Sequence, residues 1–224
     1  MIDEGGEFMS TANATPWKDK LCKELRSLKP EEVCARACVK FSREGFYSID
    51  SMGGEYRIYI DEKGVDETGG DPLAADPEFQ LTLFSYLIHA QEIGLTGKWV
   101  SEKDLRGGST FFRGPHQLPA APLVKKVGRD AELFLEAGKV LGGKPLDFGD
   151  ASLEFSVLPR VPLACVLWVE DEEFPARVSF LFDSSIEAHL ELDVILALVS
   201  SVVRKLLYNN AHPPGSECGQ GNLS

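Results

Sequence analysis

Nine consecutive residues, Val161–Val169 (VPLACVLWV), carry no charge. A β-strand turns successive side chains to opposite faces, so it can be apolar throughout only where both faces are covered. That requirement shapes the neighbouring sequence. Ahead of the run, Leu153, Phe155 and Val157 alternate with Glu154 and Ser156; beyond it, Val178, Phe180 and Phe182 share one face of the segment 177–182. Such alternation marks strands with one buried face. Then Val194, Ile195, Leu198, Val199, Val202 and Leu206 recur at helical spacing, which predicts a closing helix over 192–208.

The first half of the chain reads as helices around a hairpin. Pro16 after Thr15 is a favoured helix start, and Leu21, Leu25 and Leu28 supply its apolar stripe. Pro30 opens a second helix, with Val33, Cys34, Ala37, Cys38 and Phe41 on its expected buried face. Strand-like runs at 46–49 and 56–60 flank the turn formers Asp50–Gly54, and a polar loop follows. A helix is predicted over 78–93, stopped by Gly94, and a helical pair over 118–127 and 130–141, broken at Gly128. Grouped strands with helices between and after them predict an α+β fold: a mainly antiparallel sheet, helices packed on it and a single core. The folded part is expected at 16–208, with 1–15 and 209–224 as tails.

With 23 Lys and Arg against 35 Asp and Glu, the formal charge is −12. Such a surface repels phosphate backbones and anionic lipid heads, so neither nucleic acid nor a membrane is an expected partner. The strongest apolar run, Val194–Val203, has ten residues, and a membrane span needs about 20. Met1–Trp17 carries Asp3, Glu4 and Glu7 but no basic or apolar leader, so a cytoplasmic location is expected. Five cysteines, at 22, 34, 38, 165 and 218, form no paired framework and read as free thiols.

At Leu95–Val100 (LTGKWV) and Leu158–Asp183 (LPRVPLACVLWVEDEEFPARVSFLFD) the chain resembles the DUF3786 family. The likeness extends over most of 17–207 and includes the Tyr56-Arg57-Ile58 hairpin and the Leu141-Gly142-Gly143 helix end. The resemblance implies one domain type and a prokaryotic source, often an anaerobe. By association it implies service to corrinoid or iron–sulfur enzyme metabolism, and it carries over no catalytic residues.

Candidate site residues therefore come from the chain itself. The stretch 95–122 is dense in Gly, Pro and aromatics and too long for a plain connector. Within it Lys98 stands beside Trp99, a cation next to a flat ring, suited to an anionic ligand; the plainer reading is a turn into a strand with Trp99 buried. Arg160, between Pro159 and Pro162, is a fixed guanidinium that suits a carboxylate or phosphate, or pairs internally with Asp183 or Asp171. His89, and secondarily His116 beside the aromatics, are candidate bases or axial ligands, each with a surface reading as its alternative. Cys34 and Cys38, about 40° apart around a helix, can face one metal but share a stripe with Val33 and Ala37 and read more simply as core. Glu170–Glu173 reads as a solvated turn. The leading expectation is an accessory or ligand-binding domain, for a small molecule or a protein partner, with its site where 97–115 meets 159–183. The alternatives are an enzyme using His89 or His116 as general base, and a metal or tetrapyrrole carrier.

Overall fold

A computed structural model describes residues 16–60, 64–67 and 70–211. Thr15, His212, Cys218 and both expected tails, apart from 209–211, lie outside them. The expected α+β class is what the chain adopts, with two antiparallel sheets instead of one. The first is a meander of β1 (Lys40–Phe41), β2 (Phe46–Ser51), β3 (Gly54–Tyr59) and β4 (Val65–Glu67) in spatial order 1-2-3-4. The second comprises β5 (Trp99–Ser101), β6 (Lys144–Pro145), β7 (Ala151–Leu158), β8 (Val161–Trp168) and β9 (Arg177–Asp183), ordered β5-β9-β8-β7-β6. The all-apolar run becomes the central strand β8, where every residue except Trp168 is buried.

Among the described residues, seven helices accompany these sheets: α1 (Pro16–Ser27), α2 (Pro30–Ala37), α3 (Pro77–His89), α4 (Gly108–Phe111), α5 (Ala120–Val127), α6 (Ala131–Val140) and α7 (Leu192–Ala211). Asp76 caps α3 by accepting from Phe79 N at 2.9 Å, and Asp130 caps α6 by accepting from Leu133 N at 2.9 Å, each meeting an amide the helix cannot satisfy. Helices α3 and α7 pack on each other, and α6 lies against β7. There Gly138 faces Leu153 and Phe155 so closely that a Cβ would collide with Leu153. Buried side chains from both sheets and from these helices form one connected cluster.

Three expectations need correction. The polar loop after β3 contains β4 and a 3-10 turn at Pro72–Ala75. The first hairpin turn narrows to Met52-Gly53, both left-handed (φ 46° and 79°), as a two-residue hairpin requires. Met52 is held in this costly backbone by its N–H, which donates to Ser156 O on β7 at 3.0 Å, so the turn also ties the two sheets together. Lastly, α3 stops at His89, not Ile93. The Arg36 guanidinium donates to the carbonyls of Ile88 and Ala90, and residues 90–98 continue as an irregular strap.

Candidate functional site

The residues expected to form a site are brought near one another, but as fasteners of this strap. Asp183, buried at the end of β9, accepts from Thr96 N (3.1 Å), Thr96 Oγ1 (3.0 Å), Gly97 N (2.7 Å), Ser185 N (2.9 Å) and Ser185 Oγ (2.6 Å). Burial pushes its carboxyl upward, but the donors from Ser185 and Thr96 outweigh it and bring it down to about 2. Arg160 pairs with neither Asp183 nor Asp171. Its Nε donates to Arg36 O at 2.8 Å, Nη1 to Ile93 O at 2.8 Å and Nη2 to Ala35 O at 3.4 Å, so it closes the carbonyl end of α2 and holds the strap. Buried His189 adds a third fastener, accepting from Gln91 N on Nδ1 at 3.2 Å.

The other candidates do not converge on a pocket. Lys98 is exposed and contributes backbone: its carbonyl accepts from Ser184 N at 2.9 Å. Trp99 is half-buried in β5, opposite Asp183. His89 is exposed; His116 is exposed and stacks on Phe111 with centroids 4.7 Å apart and rings 8° from parallel. Neither imidazole is hydrogen-bonded to a carboxylate among the described residues. Cys38 leaves the helical face it was expected to share with Cys34, because it is the left-handed cap of α2 (φ 55°) and is exposed. Cys34 is half-buried, and burial raises its thiol. Among the described residues no three His, Cys, Asp or Glu side chains are placed to hold a metal ion.

The pairing of a cation with a ring occurs elsewhere, at the opposite end of the same sheet. Trp168, the last residue of β8, is the cross-strand partner of Arg177, the first of β9. The guanidinium lies over the indole, 3.9 Å from its centroid. Beside them opens a cavity of about 550 Å³ lined by Asp150, Trp168, Asp171, Phe174, Pro175 and Arg177, among others. That is within the usual range of about 300–1,000 Å³ for small-molecule sites. Three further cavities, of about 200, 330 and 390 Å³, are smaller.

Local chemistry builds this end of the sheet. Gly149 (φ +56°) turns the chain into β7 against Trp168; a Cβ there would sit 2.7 Å from Leu167 O, 2.9 Å from Val166 Cγ1 and 3.2 Å from Trp168 Cε2. Asp150 then clamps the end of β8, its N–H donating to Leu167 O at 3.0 Å and its Oδ2 accepting from Val169 N at 2.8 Å. In the β8–β9 connection Asp171 Oδ1 accepts from Glu173 N (2.8 Å) and Phe174 N (2.7 Å), a local turn that presents Phe174 with 64% of its surface exposed. Glu170 anchors the same connection to the α5–α6 junction through Gly128 O at 2.9 Å and a two-pronged pair with Arg129 at 3.0 Å. The expected solvated acidic turn is thus exposed, yet ordered by its own carboxylates. Sequence reasoning passed over Trp168 and Arg177 because they stand nine positions apart. The available signal was register: folding 161–169 back on 177–182 sets them opposite each other.

A family model described as a domain of unknown function, DUF3786, matches residues 29–205. The chain belongs to the DUF3786 family. No curated protein and no solved structure matches it. The DUF3786 match spans both the strap fasteners and every wall of the Trp168 cavity. It also ends on Lys205, the centre of a second polar cluster. Lys205 Nζ donates to Asp71 Oδ2 (2.8 Å), Tyr56 OH (2.8 Å) and Met52 O (3.2 Å), and Tyr56 OH donates to Asp71 Oδ2 at 2.6 Å. All three ammonium protons therefore have protein acceptors, and the cluster joins α7 to the first sheet. No helix among the described residues of this DUF3786 chain is long and apolar enough to cross a membrane.

Proposed function

We propose that this chain is a small-molecule-binding domain whose ligand lies against Trp168 at the end of the five-stranded sheet and places an oxyanion on Arg177. One observation carries the reading. The Arg177 guanidinium lies over the indole, its Cζ 3.9 Å from the ring centroid, and makes no hydrogen bond or ion pair with any described residue. A guanidinium has five N–H donors in a rigid fork matched to carboxylate and phosphate. Contact with the ring limits the freedom of the side chain before a ligand arrives, so binding has less of it to order. Phe174, Pro175 and Trp168 supply apolar walls for a flat body, as small-molecule sites generally do. By contrast, His89 and His116 are both exposed and have no carboxylate partner among the described residues, which gives less support to a general-base enzyme.

The test uses 3-phenylpropionate, a ring carrying one carboxylate, and its neutral amide. Added at millimolar concentration to 15N-labelled protein, the acid should move the indole N–H of Trp168, assigned with Trp168→Phe. The amide should move it less, and Arg177→Gln should remove the difference. Equal responses to acid and amide in the parent protein would contradict the assignment of Arg177.

A further inference from the structure

Resting on that reading, we propose that the ligand is zwitterionic: an α-amino acid with a flat or apolar side chain, its carboxylate on Arg177 and its ammonium on Asp150 and Asp171. The cavity is lined by two carboxylates and one guanidinium. An oxyanion alone would gain from Arg177 but meet two like charges in the same lining. An ammonium on the same ligand reverses the sign of both contacts.

The two acids are prepared for that role. Each has one oxygen tied to backbone: Asp150 Oδ2 accepts from Val169 N at 2.8 Å, and Asp171 Oδ1 from Glu173 N at 2.8 Å and Phe174 N at 2.7 Å. The second oxygen of each, Asp150 Oδ1 and Asp171 Oδ2, accepts no hydrogen bond from a described residue. A carboxylate anchored through one oxygen presents the other in a fixed direction and loses little freedom when a donor arrives. The exposed ring of Phe174 adds cation–π attraction for the ammonium or contact for an aromatic side chain. The walls thus offer a cation, acceptors for an ammonium and an apolar surface together, the recognition elements of an amino acid.

The experiment compares three ligands that share one ring: L-phenylalanine, 3-phenylpropionate, which lacks the ammonium, and 2-phenylethylamine, which lacks the carboxylate. Each is titrated into the full chain and read at the Trp168 indole N–H. L-Phenylalanine is expected to bind about tenfold more tightly than either single-charge analogue. Asp150→Asn should erase most of its advantage over 3-phenylpropionate while keeping its advantage over 2-phenylethylamine. Arg177→Gln should do the reverse, and this crossed pattern separates ligand contacts from general loss of fold. If 3-phenylpropionate binds as well as L-phenylalanine and still depends on Arg177, the zwitterion is refuted and the oxyanion site stands. If none of the three moves Trp168, both readings fall.

Discussion

A side chain at position 149 would have to fit among the Leu167 carbonyl, Val166 and the Trp168 indole, on a backbone with φ +56°. Left-handed backbone costs a non-glycine residue about 1–2 kcal/mol, and the 2.7 Å approach to Leu167 O adds to it. Gly149→Ala is therefore expected to lower stability by about 2 kcal/mol in denaturant unfolding and to shift the Trp168 indole signal even without ligand. An unchanged spectrum would show that Gly149 does not set the ring. Asp183 makes a prediction in pH. Its folded carboxyl, at about 2, lies below the ordinary 3.8, so its stabilisation is complete above 3.8 and is lost as pH falls from there through about 2. Asp183→Asn should flatten the stability curve in that acid window and release the amide protons of Thr96 and Gly97 to faster exchange. At this scale the sequence marked Arg160 as held in place but not what holds it. Proline on both sides of Arg160 marked a rigid guanidinium, yet its acceptors are the carbonyls of Ala35, Arg36 and Ile93, and any residue type can supply a carbonyl.

The uncharged run of β8 was legible because a strand covered on both faces admits few polar positions, and its neighbours β7 and β9 followed from alternation. The end of α3 was not. Leu83, Phe84, Leu87 and Ile88 recur at helical spacing and Gly94 is the next helix stop, which carried the expectation to Ile93, but backbone groups between Ile88 and Ile93 are taken by Arg36, Arg160 and His189 from distant segments. Local periodicity predicts a helix only while no tertiary donor competes for its carbonyls. Arg160→Ala should therefore act on the whole strap: a loss of about 2 kcal/mol, as for charge-assisted hydrogen bonds, with accelerated hydrogen exchange across 90–98. Exchange confined to the immediate neighbours of position 160 would mean that Asp183, His189 and Arg36 hold the strap without Arg160.

For the molecule as a whole, a shared core and a few polar fasteners keep two sheets in register. Lys205, on α7, reaches Asp71, Tyr56 and the Met52 carbonyl in the first sheet and its flanking turn, while the Met52 amide reaches β7 in the second. Lys205→Met removes the ammonium paired with Asp71 at 2.8 Å; because Asp71 keeps some solvent contact, a loss of about 3 kcal/mol is expected, the low end for a broken buried pair. Lysine at the end of an apolar helix gave no sign of this, since its partners lie some 130–150 positions away. The pairing of a cation with a ring shows the same limit. A cation beside a ring was sought at Lys98 and Trp99, adjacent in sequence, whereas antiparallel pairing brought Arg177 to Trp168. The three tryptophans, Trp17, Trp99 and Trp168, allow one spectrum to decide between these places. With L-phenylalanine added to 15N-labelled full-length protein, the Trp168 indole N–H is expected to shift in a saturable way while Trp17 and Trp99 stay fixed. A shift at Trp99 with Trp168 unmoved would return the site to the strap and contradict the Arg177 cavity.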